Sequence, residues 1–147
     1  MIKKLKWAVI HEIWKNELWP YRQSKIEPTS AMIYLGGYNI HNMDFKPCFL
    51  GYYTAENLVG VNSGHLCADN SYRSRGLWVN PEFRKKGYAK QLLEQTIEQA
   101  IKDKADFIWS YPRKSSWKTY LSVGFELSSD WQNSETSNAN AYCFRTL

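Results

Sequence analysis

Three extended runs, Cys48 to Thr54, Leu58 to Cys67 and Tyr72 to Val79, follow one another with only Ala55-Glu56-Asn57 and Ala68-Asp69-Asn70-Ser71 between them. Their β-branched and aromatic content and turn-prone separators predict strands, and connections this short predict an antiparallel meander. Beyond Pro81 the period changes. Tyr88, Leu92, Leu93, Ile97, Ala100 and Ile101 fall on one helical face, with Lys90/Glu94 and Glu98/Lys102 at the i,i+4 spacing of exposed ion pairs. An earlier helix is predicted over Ala8 to Leu18, where Ile10, Ile13, Trp14 and Leu18 form the apolar stripe and Pro20 stops it. A short first strand is expected at Ile2 to Leu5, and Tyr21 to Pro47 reads as mostly loop with room for one helical turn. Ala105 to Tyr111 predicts a strand, Ser115 to Ser122 a short helix ended before Gly124, and Phe125 to Ser129 and Ala141 to Thr146 two further strands. Asp130 to Asn140 is polar enough for a long exposed loop. The order predicts an α/β chain around a mixed sheet.

Composition narrows the class. A length of 147 residues fits one domain, 1–147, and 44% hydrophobic with 16% aromatic residues excludes wholesale disorder. Apolar runs such as Ala31 to Leu35 fall far short of the roughly 20 residues that cross a bilayer, so no membrane role is expected. The basic start Met1 to Trp7 lacks an apolar h-region, which predicts no secretory signal and a cytoplasmic address. Cys48, Cys67 and Cys143 are odd in number and far apart, as suits reduced core thiols rather than disulfides or a metal site.

Charge adds a partner. The net charge is +5, and Arg73, Arg75, Arg84, Lys85, Lys86 and Lys90 crowd into 18 residues with Glu82 as the only acid among them. A polyanion, a phosphate group first of all, is the implied counterpart. The segment Leu77-Trp78-Val79-Asn80-Pro81-Glu82-Phe83-Arg84-Lys85-Lys86-Gly87-Tyr88-Ala89-Lys90 runs from a strand through a basic loop to a glycine that opens a helix. The first turn of a helix offers unpaired N–H groups and partial positive charge to such a phosphate. A side chain at position 87 would hold the anion off the backbone.

The pattern Val79-x-Pro81-x-x-Arg84-x-x-Gly87-x-Ala89 before an amphipathic helix resembles the acyl-coenzyme A loop of the GNAT superfamily of N-acetyltransferases, usually R/Q-x-x-G-x-G/A. Downstream, Tyr120-Leu121-Ser122-Val123-Gly124-Phe125 is similar to the second signature of that superfamily, a tyrosine four residues before Gly-Phe. The resemblance covers nearly the whole chain. It implies a GNAT-like mixed sheet splayed at the coenzyme site and flanked by helices, with the strands Tyr72 to Val79 and Ala105 to Tyr111 parallel and parting at their C-terminal ends. It further implies acetyl-CoA as cosubstrate, its pyrophosphate on the backbone of Arg84, Lys85, Lys86, Gly87, Tyr88 and Ala89 and its pantetheine arm along Leu77, Trp78 and Val79. Tyr120 is the implied general acid, and a strand N–H near Leu77 to Val79 the oxyanion donor. Lys114, Ser115 and Lys118 stand near enough in sequence to touch the coenzyme, and Tyr21, Arg22 and Gly36-Gly37-Tyr38 fall where the family builds its acceptor wall.

The general base is where this chain departs from the family. Many members carry a glutamate on the strand before the loop, and here that stretch reads Arg73-Ser74-Arg75-Gly76. Strand alternation places Arg73, Arg75, Leu77 and Val79 on one face, where the two arginines either recognise an acidic acceptor or cover the sheet. His65 is the nearest base by type, with a structural histidine as the competing role. No cysteine sits where acyl-enzyme chemistry would need it, which favours direct transfer to a primary amine in a ternary complex. The acceptor, a small molecule or a peptide, stays open, as does a homodimer. A non-catalytic acyl-CoA-binding sensor is the alternative, and nucleic acid is not an expected partner because no nucleic-acid motif is present.

Overall fold

A computed structural model describes residues 1–133 and 139–147. The middle of the expected loop at 130–140 therefore lies outside the described residues. The elements are β1 (Ile2–Lys4), α1 (Trp7–Ile13), β2 (Cys48–Thr54), β3 (Asn57–Leu66), β4 (Ser71–Val79), α2 (Tyr88–Lys102), β5 (Phe107–Ser110), α3 (Trp117–Ser122), β6 (Glu126–Leu127) and β7 (Cys143–Thr146). The described strands form one open sheet in the order β1-β2-β3-β4-β5-β7-β6. β1 to β4 are antiparallel neighbours, β4 and β5 run parallel, and β7 inserts antiparallel between β5 and β6. The mixed, helix-flanked architecture expected from the sequence is the one observed.

The two faces carry different helices. Leu93, Ile97 and Ala100 of α2 pack with Tyr72, Ile108, Tyr120 of α3 and Phe125 on one side. Ile10 and Trp14 pack with Phe49 and Val61 on the other, and Trp78 joins them. Thr96 is the buried polar position on α2, where Asn62 on β3 donates to its hydroxyl at 2.9 Å and to Ser74 Oγ at 3.0 Å. Ile101, expected on the buried face, is 55% exposed. It lies nine residues from Leu92, half a turn out of phase at 100° per residue. Neither Lys90/Glu94 nor Glu98/Lys102 approaches to ion-pair distance; the described ion pairs are Lys25–Glu27 and His41–Asp44.

Two departures from regularity shape the molecule. The predicted helix over Ala8 to Leu18 begins one residue earlier and widens at its C-terminal end into a π-helical turn, Trp14–Leu18, closed by Trp19 N–H donating to Trp14 O at 2.7 Å. This turn seats the fully buried Trp14 on β4, where its indole Nε1 donates to the Gly76 carbonyl at 2.9 Å. β4 answers with a bulge, because Val61 pairs with Trp78 but Ser63 pairs with Arg75, so one extra residue sits in β4. Gly76 occupies the bulge at φ +76°, and a Cβ there would overlap the Trp14 ring.

The bulge corrects the predicted alternation. Arg73 and Arg75 face α1, but past the extra residue Leu77 turns to the α2 core and Trp78 joins the arginines' side. In the long loop, a helical turn forms at Ile40–Asp44, capped by Asn39 Oδ1 accepting from His41 N. Replacing Gly76 by Ala combines left-handed strain with overpacking against Trp14. We expect roughly 2–5 kcal/mol of destabilisation, read as a lowered urea midpoint at unchanged slope; a wild-type midpoint would contradict this account of the bulge.

Candidate functional site

Where β4 and β5 part, a cleft opens. Their ladder comprises three pairs, Ser71 with Phe107, Tyr72 with Ile108 and Arg73 with Trp109. β4 then runs on through its bulge to Val79, whereas β5 ends at Ser110 and Pro112 follows. One side chain spans the fork, with Ser110 Oγ donating to the Ser74 carbonyl at 2.9 Å. The resulting cavity is about 640 Å³, within the range of small-molecule sites.

The loop before α2 builds one end of it. Asn80 accepts from Glu82 N–H at 3.0 Å and fixes the turn Pro81–Phe83, and Arg84 Nε donates to the Val79 carbonyl at 2.9 Å, securing the end of β4. Lys85 at φ 63° and Gly87 at φ 84° then turn the chain into α2. Among the described residues no side chain caps the helix, and its first-turn N–H groups and positive dipole end face the cleft. A Cβ on Gly87 would meet no protein atom and would stand in that space. Lys86 is not part of the lining; its ammonium lies 5.4 Å over the Phe83 ring.

Tyr120 stands where the strands diverge. α3 presents it from beneath the sheet, 3% exposed, with its ring edge-on to Phe125 and its hydroxyl 3.4 Å from Ser110 Oγ. Ser110 Oγ is thus placed to donate both to the Ser74 carbonyl and, at the longer distance, to the Tyr120 oxygen, and the phenol's own proton is not committed to either. Burial raises the phenol well above the ordinary tyrosine range, with the Ser110 bond and Arg73 acting in the opposite direction, so it stays protonated.

At the opposite end Arg73 and Arg75 line the cleft beside Trp19, Tyr111 and Asn140. Arg75 donates to the Glu27 carbonyl at 2.7 Å and lies over Trp14 at 4.9 Å and Trp19 at 5.2 Å. Burial lowers its guanidinium to about 9, helped by the positive charges of Arg73 and Arg22. Arg73 rests on the Trp109 ring at 4.4 Å, and among the described residues its one polar contact is the Met32 thioether at 3.6 Å.

Not every sequence-predicted residue reaches the cleft. Leu77, Trp78, Val79, Arg84, Lys85, Gly87, Tyr88, Ala89, Tyr120, Arg73 and Arg75 do, and Ser115 and Lys118 join them. His65 does not. It is 1% exposed, its Nε2 accepts from Ser30 N at 3.1 Å, and its Nδ1 lies 2.8 Å from the Leu66 carbonyl, so both nitrogens are committed to the protein. Tyr21, Arg22 and Gly36-Gly37-Tyr38 are also absent from the lining, and Tyr21 is 94% exposed.

The scan of family models matches the acetyltransferase (GNAT) family over residues 9–125, most of the chain. The protein belongs to the GNAT acetyltransferase family. Among solved structures, a GNAT-family acetyltransferase from Staphylococcus aureus Mu50 superposes with a TM-score of 0.67 at 16% identity over 100% of this chain and 98% of its own. A Bacillus subtilis acetyltransferase in complex with CoA gives 0.60 at 20% identity, covering 69% of this chain and 77% of that one. The PaiA N-acetyltransferase of Thermoplasma acidophilum, in complex with coenzyme A, gives 0.59 at 19% identity over 74% and 65%. No curated protein matches the sequence. The two GNAT signatures quoted from the sequence thus lie on the same cleft, one at each side of the fork.

Sequence reasoning missed Ser110, Trp19, Arg113 and Asn140 of this GNAT cleft. Ser110 had a visible signal, a small polar residue closing an apolar strand at the end where the sheet forks. Asn140 reaches the cleft only through pairing across the chain, its Nδ2 donating to Tyr111 O at 3.0 Å. The described lining carries seven Arg and Lys side chains and no Asp, Glu or His.

The His65 geometry predicts a pH effect on stability. Burial, with Arg73 and Arg75 adding to it, lowers this imidazole from 6.5 to about 4. Unfolding then takes up a proton between those values, so stability falls as pH drops through that window, by up to about 3 kcal/mol. Urea unfolding between pH 7 and 4.5 should show a shallower loss in His65→Gln than in the native chain; parallel slopes would contradict the assignment.

Proposed function

We propose that this GNAT protein transfers an acetyl group from acetyl-coenzyme A directly to a primary amine within a ternary complex. The observation that carries it is the fork itself, which sets an uncapped helix start, a run of strand backbone and a buried protonated phenol around one cavity. The backbone of Arg84 to Ala89 would receive the coenzyme pyrophosphate, with Lys85 and Lys90 adding charge. The backbone of Leu77, Trp78 and Val79, past the last β4–β5 pair, supplies amide groups for the pantetheine arm and a donor for the thioester oxygen as it gains charge.

Transfer forms the new C–N bond and breaks the C–S bond. Tyr120 gives its proton to the departing sulfur and regains one from solvent, which its raised affinity for protons favours. The nitrogen gives two protons to solvent, one before attack and one after it, and Tyr120 takes one back, so the balance is one ammonium and one thioester to one amide, one thiol and one proton. The cation-rich lining helps by disfavouring the ammonium form of the bound amine, work that an acidic base would otherwise do.

Calorimetry with acetyl-coenzyme A tests the cradle, where Gly87→Glu should weaken binding at least about tenfold through like-charge repulsion and lost close approach. For Tyr120→Phe, kcat should fall about 100- to 1,000-fold with little change in coenzyme affinity. Turnover at the native level in that variant would remove the acid role. The acid-free lining also supports a second reading, a non-catalytic acyl-CoA-binding module, and a screen of amines in which none releases thiol would favour it.

A further inference from the structure

Two arginine cations lie side by side inside the protein with no carboxylate to match them among the described residues. Arg73 is 8% exposed and Arg75 6%, and neither takes part in a described ion pair. Their immediate surroundings are indoles, a backbone carbonyl and a thioether. A third cation, Arg22, also lies over Trp19, at 5.2 Å. Such a site raises local positive potential in a low-dielectric wall, which is unfavourable until an anion enters.

The two arginines are not equivalent. Arg75 is anchored through Glu27 O and rests against the contacting pair Trp14 and Trp19, a fixed arrangement. Arg73 has five N–H donors, one weak sulfur acceptor at 3.6 Å, and a buried Nε without a partner among the described residues. Both line the cleft, at the end away from Gly87. Residues two apart on a strand share a face about 7 Å apart, so the two heads can serve one anionic group.

We propose that Arg73, supported by Arg75, is an anion subsite in the acceptor half of the cleft, so that the amine acceptor carries a carboxylate or phosphate group. The proposal rests on the acyl-transfer reading for the word acceptor, and on the arginines alone for the anion. The subsite also limits size. Arg73 adjoins Ser74, whose carbonyl binds Ser110 Oγ, and that oxygen lies 3.4 Å from the Tyr120 hydroxyl. An anion held at Arg73 and an amine attacking beside Tyr120 therefore belong to one small molecule, with the two groups a few bonds apart. An amino acid or an aminoalkyl phosphate has that form, and a plain polyamine does not.

Initial rates of thiol release from acetyl-coenzyme A with matched pairs separate these classes: tyrosine against tyramine, leucine against isopentylamine, and O-phosphoethanolamine against ethanolamine. At least one anionic member should exceed its neutral partner in kcat/KM by about 100-fold or more, and whether the carboxylates or the phosphate lead identifies the source of the charge. Arg73→Met should bring that ratio to within a few-fold of one, chiefly through KM, and Arg73→Lys should keep part of it. A wild-type preference for the neutral members, or a ratio unchanged in Arg73→Met, overturns the proposal. Should the methionine variant fail to fold by circular dichroism, the lysine variant and the native panel still decide it. A separate titration of the native protein and Arg73→Lys with 3-phenylpropionate, phenyl phosphate and benzyl alcohol, all in the presence of coenzyme A, distinguishes the two layers. Anion binding weakened in Arg73→Lys, without thiol release from any amine, would retain the subsite and overturn the transfer reading; no preference for the anions over the alcohol would overturn the subsite.

Discussion

The seating of one indole on one glycine governs the rest of the molecule. Trp14 is completely buried, and covering a side chain of that size contributes about 5 kcal/mol of apolar transfer energy. It fits only because Gly76 has no Cβ, and its N–H is satisfied only because the bulge turns the Gly76 carbonyl toward it. The extra residue in β4 then reverses which side chains face each helix. The cleft lies along that stretch of β4, beyond its last pair with β5. The π-helical turn at the end of α1 is the matching adjustment, since it sets Trp14 and Trp19 together against β4 and Arg75.

Much of this architecture was legible in the chain because its signals are local. The meander follows from three strand-like runs with short turns, and α2 from a face of Leu92, Leu93, Ile97 and Ala100. Gly87 announces the cradle through its place between a basic loop and a helix. What could not be read depends on partners distant in sequence. Strand alternation carried Leu77 to the arginines' side, and only the pairing of Ser63 with Arg75 next to Val61 with Trp78 reveals the slip. His65 looked like a base by residue type, but Ser30, 35 positions away, occupies its acceptor nitrogen. The loop residues Tyr21 and Tyr38 belong to the stretch expected at the acceptor wall, yet they are exposed and outside the cleft lining, which Trp19 joins.

The electrostatics of the cleft reverse the usual economy of a protein interior. Buried charges are ordinarily matched by opposite charges, whereas Arg73 and Arg75 are stabilised by ring faces and single acceptors, contacts worth only about 0.5–2 kcal/mol each. Their lowered affinity for protons expresses that shortfall, with loss of solvent as the principal cause in both. The described lining accordingly presents positive potential along β4, with two buried arginines and no acid.

The outer edges of the sheet give the internal fork a further meaning. β1 is three residues long and carries Lys3 and Lys4, and β6 has only two residues, both exposed. Short, charged borders discourage another chain from adding itself to the sheet. The gap between β4 and β5 is different, an interior seam walled on both sides by structure. Strand backbone left unpaired there lies inside the molecule and not on its rim, so it is exposed to a ligand in the cleft without the aggregation hazard of an open border.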